Sequence, residues 1–170
     1  MRQVVIDTNV VISSVLSPNG KPSEILKLCF SGLLQVVCSE SIISEYKRVL
    51  AYKKLNIAVE TQVGLLNAIE EVSVLIKPIK SLSLMTDEDD RIFYDAATAR
   101  NAALITGNKI HYPNEPHIKT PTEFLESLEV EFEEYAHKRY VAAKLAEAEA
   151  EAVADPKRIS HEEFWQEFGL

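Results

Sequence analysis

The sequence predicts an α/β fold of three layers, α/β/α, with a central parallel sheet and a helical C-terminal extension. Two observations carry that expectation. Short β-branched or apolar runs alternate along the chain with segments of helical period. The chain has 170 residues, 46% apolar and 26% charged, which suits one domain with an appendage and excludes collagen-like or wholly disordered chains.

Val4-Val5-Ile6 reads as a buried strand. Ser17-Pro18-Asn19-Gly20 is a turn cluster, and Pro22 and Ser23 open a helix to about Phe30, stopped by Gly32. Leu34 to Cys38 is a second strand. Ser39 or Ser41 caps a helix to about Tyr52, in which Ile42, Ile43, Tyr46, Val49 and Leu50 recur at helical spacing. A helix over 59–72 and a short strand at Val74-Leu75-Ile76 follow, ended by Pro78. The acidic run Asp87-Glu88-Asp89-Asp90 opens a helix to about Asn101, where the helix dipole favours carboxylates. Ala103 to Thr106 is the next strand, 108–117 a loop, Ile118 to Thr120 a last strand, and Pro121 opens a helix to about Leu128.

Beyond that point the composition changes. Residues 1–128 carry 15 acids against 13 bases, whereas residues 129–170 carry 11 against 5. We therefore divide the chain into a body, 1–128, and an acidic tail, 129–170. Glu129-Val130-Glu131-Phe132-Glu133 alternates like a strand. Ala142 to Ala154 is an Ala/Glu helix, Asp155-Pro156 breaks it, and Ser160 with Glu163 forms a capping box before Phe164, Trp165 and Phe168. Those aromatics are costly to leave in water and should dock on the body or on another chain.

The net charge of -8 does not attract nucleic acid through the overall field, so nucleic-acid chemistry has to rest on a local site. No apolar run is long enough for a membrane helix, and the N-terminus lacks a signal-peptide pattern. Cys29 and Cys38 suggest neither a disulfide framework nor a metal knuckle. A cytoplasmic location with reduced thiols is the expectation. His111, His117, His137 and His161 show no ligand spacing and read as surface residues. Tyr112, near Lys109, is either an RNA contact or a locally packed loop aromatic. No glycine-rich phosphate loop or nucleophilic Ser or Cys motif is present.

Sites in parallel α/β sheets form beyond the carboxyl ends of the strands. That rule selects Asp7 after the first strand and Asn108 after Thr106. Glu45 lies on the helix after the second strand, and Asp90 in the first turn of the helix before the Ala103–Thr106 strand. Three clustered acids repel one another unless a divalent cation neutralises them, and oxygen ligands favour Mg2+ or Mn2+. Taken singly, each acid has a plain alternative: a strand-end turn, a solvated helix residue, or a helix cap.

Val5-Ile6-Asp7-Thr8-Asn9-Val10 resembles the opening motif of PIN-domain ribonucleases. Ser39 to Tyr46 resembles their second motif, with its acid at Glu45. Asp87 to Phe93, Ala96 to Ala99 and Leu104-Ile105-Thr106-Gly107-Asn108 resemble the remainder, and the sixteen positions from Asp90 to Thr106 fit the family's spacing. Within that family the likeness is to VapC-type toxins of toxin–antitoxin systems. The resemblance implies that Asp7, Glu45 and Asp90 are catalytic, metal-binding acids. Asn108 stands where many members have a fourth aspartate. It implies that Asn9 and Thr106 hold the acids and the attacking water, that Asp87, Asp89 or Asp95 supports the site, and that Thr8 and Ser39 are structural. The implied activity is Mg2+- or Mn2+-dependent cleavage of RNA.

Residues 133–170 resemble the toxin-binding part of an antitoxin, as in a fusion of the two. In that likeness Arg158 or Lys157 would enter the acidic site and Phe164, Trp165 and Phe168 would anchor the tail, in the same chain or a neighbour of a homo-oligomer. Lys138 and Arg139, or plain steric blocking, are the alternatives. Two other functions stay open. One is a haloacid dehalogenase-like phosphohydrolase, which would need an aspartate where Asn9 stands. The other is a catalytically weak binding module with remnant acids.

Overall fold

The computed structural model describes residues 1–154. The strands are β1 (Arg2–Ile6), β2 (Leu34–Cys38), β3 (Ser73–Leu75), β4 (Ala103–Ile105) and β5 (Ile118–Lys119). The helices are α1 (Thr8–Leu16), α2 (Lys21–Phe30), α3 (Glu40–Leu50), α4 (Val59–Val72), α5 (Arg91–Arg100) and α6 (Pro121–Ala154). All five strands are parallel, in the order β3-β2-β1-β4-β5. Val4, Val5 and Ile6 are all at most 1% exposed, although successive strand residues face opposite sides. Both faces of the sheet are therefore covered, as the near-continuous apolar runs predict.

The order of strands reverses at β1: the chain proceeds outward to β2 and β3 on one side, then returns to β4 and β5 on the other. The crevice at such a switch point lies beyond the carboxyl ends of β1 and β4. Here Asp7 N–H bonds Ile105 O at 2.9 Å, which ties the two strand ends together.

Sequence and structure agree on most elements, with instructive exceptions. The helix α1 was not anticipated. Its Val10 and Val11 are buried, and the Asp7 carboxylate caps it by accepting from Asn9 N–H. The acidic run is not the first turn of a helix. Asp87 Oδ1 accepts from Asp89 N–H, which forms a turn, and α5 starts at Arg91, with Asp90 as the preceding cap residue. Asn101, in the left-handed region at φ 49°, ends α5.

The strand expected at 129–133 is helix instead. Val130 and Phe132 are both exposed, so the alternation buries no face, and glutamate favours helix. α6 is launched by a capping box that the sequence reading passed over. Thr120 Oγ1 accepts from Glu123 N–H, and Glu123 Oε2 accepts from Thr120 N–H. A second compact unit begins at Ser127, within α6. Asp155, Pro156, Lys157, Arg158, Ser160, Glu163, Phe164, Trp165 and Phe168 lie outside the described residues.

Inside the first unit, Tyr46 is buried, stacks on Phe93 with ring centroids 6.2 Å apart, and donates its hydroxyl to Ile6 O. Burial pushes the Cys29 thiol up to about 12 and the Cys38 thiol up to about 11. Neither cysteine is in a disulfide. Leu104 is fully buried at the centre of β4. Leu104→Ala should cost about 2–5 kcal/mol, because the cavity adds to the lost apolar transfer. Urea unfolding measures it.

A candidate metal centre at the carboxyl edge of the sheet

Asp7 is 3% exposed, and its carboxylate is held by four donors. Oδ2 accepts from Asn9 Nδ2 (2.9 Å), Thr106 Oγ1 (2.7 Å) and Tyr112 OH (2.9 Å). Among the described residues, Oδ1 accepts only from Asn9 N–H, at 3.2 Å, and keeps a lone pair for a further ligand. A buried carboxylate needs such partners to stay charged. Burial, and after it the Asp7 and Asp90 charges, raise the Tyr112 hydroxyl far above its ordinary range, so it remains a donor.

The loop after β4 closes on the same group. Thr106 is fully buried, and its Oγ1 accepts from Asn108 N–H at 3.0 Å. Asn9 Oδ1 accepts from Gly107 N–H at 2.8 Å. A Cβ at Gly107 would come within 3.0 Å of that oxygen, so glycine allows the close approach. Asn9 and Thr106 thus hold Asp7 by hydrogen bonds.

Asp90 enters from the turn before α5. Its Oδ2 meets His111 Nδ1 at 2.7 Å, and Asp87 Oδ2 lies 3.8 Å from the same nitrogen. Burial raises the Asp90 carboxyl above its ordinary value. The His111 hydrogen bond opposes that, and the charges of Asp7 and Asp87 add to it. The Asp7 charge therefore reaches Asp90, 83 positions away in sequence, through space. Among the described residues, Asp87, Asp90 and His111 form a group whose ligand atoms lie within 4.8 Å of one another.

The remaining expected residues are placed differently. Glu45 is half-buried and engaged by Arg48, which donates Nε and Nη2 at 3.0 and 2.7 Å. Asp89 adds its charge to the field on Arg48. The Asp95 carboxylate accepts from Ser81 N–H at 3.1 Å. Arg91 grips the same loop, donating to Ser81 O, Ser81 Oγ, Ser83 O and both oxygens of Glu88. The Asp95 and Arg91 contacts hold a loop rather than a ligand, and both residues line a separate cavity of about 490 Å³ with Lys77 and Glu88. Ser39 caps α3 through Ile42 N–H, and Thr8 is buried.

Tyr112 takes the second of its two expected readings: it is 5% exposed and packs locally, and its hydroxyl donates to Asp7. His111 is not a plain surface residue, because it joins Asp90 to the Asn108 amide. The available signal was its position three residues after Asn108 in the strand-end loop.

The PIN-domain profile matches residues 3–110 of the chain. The chain belongs to the PIN-domain family. An uncharacterized protein of Methanocaldococcus jannaschii is 36% identical over 146 residues, covering 75% of this chain and 92% of the relative. A solved structure, VapBC2 from Rickettsia felis bound to a DNA fragment from their promoter, aligns at 17% identity. It has a TM-score of 0.48 and covers 69% of this chain and 96% of the other. The PIN-domain assignment displaces the haloacid dehalogenase alternative. Among the described residues, no helix is long and apolar enough to cross a membrane.

The donor set fits a divalent cation. Asp90 Oδ1 has no protein partner among the described residues, Asp7 Oδ1 has spare capacity, and the repulsion between these acids is what a cation relieves.

Two predictions concern these acids. Asp90→Asn removes a charge that the fold disfavours, so the metal-free variant should melt at or above the wild-type temperature in calorimetry. Glu88 behaves oppositely. Hydrogen bonding from Arg91 lowers it from 4.5 to about 2. A depressed carboxyl contributes stability above its unfolded value and loses it as pH falls through the folded one. The melting difference between wild type and Glu88→Gln should therefore shrink from pH 4.5 toward pH 2.

Proposed function

We propose that the chain is a metal-dependent endoribonuclease of the VapC toxin kind, hydrolysing RNA phosphodiester bonds. The observation that carries this reading is the buried Asp7 carboxylate at the end of β1, held on one oxygen by Asn9, Thr106 and Tyr112, together with the Asp87–Asp90–His111 group whose ligand atoms lie within 4.8 Å of one another. Asp7, Asp90 and Glu45 are the catalytic acids in this reading, with Asn108 beside them. Glu45 joins the site by releasing Arg48. A bound Mg2+ or Mn2+ would supply Lewis-acid stabilisation of the charge that develops on the phosphodiester.

The chain's own residues do the positioning. Asn9, Thr106 and Tyr112 fix one oxygen of Asp7 and leave the other for the ion. Asp87 adds a second negative group beside Asp90, and Asp89 one beside the Glu45–Arg48 pair.

The tail reading belongs to the same proposal. Residues 1–128 are the nuclease body, and residues 129–170 act as an antitoxin-like segment. They work in the same chain or across a homo-oligomer, in the cytoplasm, or give way to a separate antitoxin. The support is in the sequence. The tail is acidic, so a local cation has to carry any approach to the acids, and Lys157 and Arg158 are the last basic residues. Arg158 is the better partner for a carboxylate.

In the full chain, RNA cleavage should require Mg2+ or Mn2+ and stop with a chelator. Asp90→Asn should lower it by about 10²-fold or more, the scale of losing a preorganised electrostatic group. Arg158→Ala should raise it. Cleavage that persists in Asp90→Asn under chelator sinks the nuclease reading. An unchanged Arg158→Ala sinks the charge plug alone.

A further inference from the structure

The hydrogen-bond chain Asn108–His111–Asp90 is more specific than an acidic cluster. His111 Nδ1 faces Asp90 Oδ2 at 2.7 Å and Asp87 Oδ2 at 3.8 Å, while Nε2 lies 2.6 Å from the Asn108 amide. One ring nitrogen thus points at two carboxylates, and the other is held by a neutral group. In a metal-ligating histidine the far nitrogen carries the proton and is fixed by an acceptor that sets the tautomer and ring orientation; here Asn108 presents Nδ2 to Nε2, and its Oδ1 reaches the same place when the amide turns over.

We propose that His111 Nδ1 is a ligand to the cation of this site, alongside Asp90 and Asp87, and that the Asn108 amide is the positioning partner of the ring. The proposal rests on the metal-site reading above and specifies its donor set.

The proton accounting is consistent. In the neutral ring, the tautomer that fits these contacts has Nδ1–H donating to Asp90 and Nε2 accepting from the Asn108 NH2 group. The other tautomer would place the proton on Nε2, donate it to Asn108 Oδ1 after the amide turns over, and leave the Nδ1 lone pair for a cation. An amide serves both tautomers because it offers a donor and an acceptor; a carboxylate at position 108 would accept only. The three ligand atoms lie within 4.8 Å of one another, against the ~3 to 3.5 Å between adjacent ligands of a first-row divalent ion, so side-chain rotations that draw them closer would complete the set. An imidazole among carboxylates shifts preference from Mg2+ toward Mn2+, Co2+ or Zn2+.

Mn2+ and Mg2+ titrations of the full chain by calorimetry, with pulsed EPR of bound Mn2+, test this. Wild type should bind Mn2+ more tightly than Mg2+ and show coupling to an imidazole nitrogen. His111→Ala and His111→Gln should each lose that coupling and at least ~10-fold in Mn2+ affinity, with Mg2+ affinity moving less. Asn108→Ala should keep the coupling while weakening Mn2+. Retained coupling and affinity in both His111 variants overturn the proposal. Mn2+ binding that depends on Asp90 but shows no nitrogen coupling overturns it too, and leaves the metal-dependent nuclease reading standing. No binding of either ion by the wild-type chain overturns both.

Discussion

A buried carboxylate has to be satisfied or it will not stay ionised, and Asp7 shows how much structure that requirement recruits. Its four donors come from the first turn of α1, the end of β4 and the loop beyond. The bond from Asp7 N–H to Ile105 O brings the strands together, and the side chain then fixes what lies past them. Asn9 is shared between Asp7 and Gly107, and Thr106 between Asp7 and Asn108. Disturbing any one of these reaches the others, because every donor in the set has a second partner or is itself buried.

The acids at this edge divide by environment. Asp7 is enclosed and saturated on one oxygen. Asp90 is partly enclosed, under-coordinated, and pressed by its neighbours' charges. Glu45 already has a cation in Arg48. Of the three, Asp90 has the most to gain from a divalent ion, and Glu45 has to give up a partner before it can contribute. Structural carboxylates nearby are spent differently: Asp95 and Glu88 hold the 81–88 loop through Ser81 and Arg91.

The sheet was legible because its strands are continuous apolar runs, a pattern that survives without tertiary context. The places of Asp7, Asn9 and Thr106 at the strand ends were legible because strand-end position and motif order agree. What stayed hidden depends on long-range contacts. α1 lacks flanking punctuation, since its cap is the site residue itself. The tail's alternation at Val130 and Phe132 suggested a strand, but strand pairing requires a partner edge and helix formation does not. The contacts of Tyr112 and His111 are made with partners 105 and 21 positions away, which a local pattern alone does not reveal.

The two cysteines add a practical property. Cys29 and Cys38 are buried, and burial suppresses formation of the thiolate, the form that reacts with oxidants and alkylating reagents. The native chain is therefore chemically quiet toward thiol reagents and becomes reactive only when its core opens. A maleimide dye added to the untagged protein would work as a built-in gauge of unfolding, and storage without reductant should harm the folded protein far less than the unfolded one.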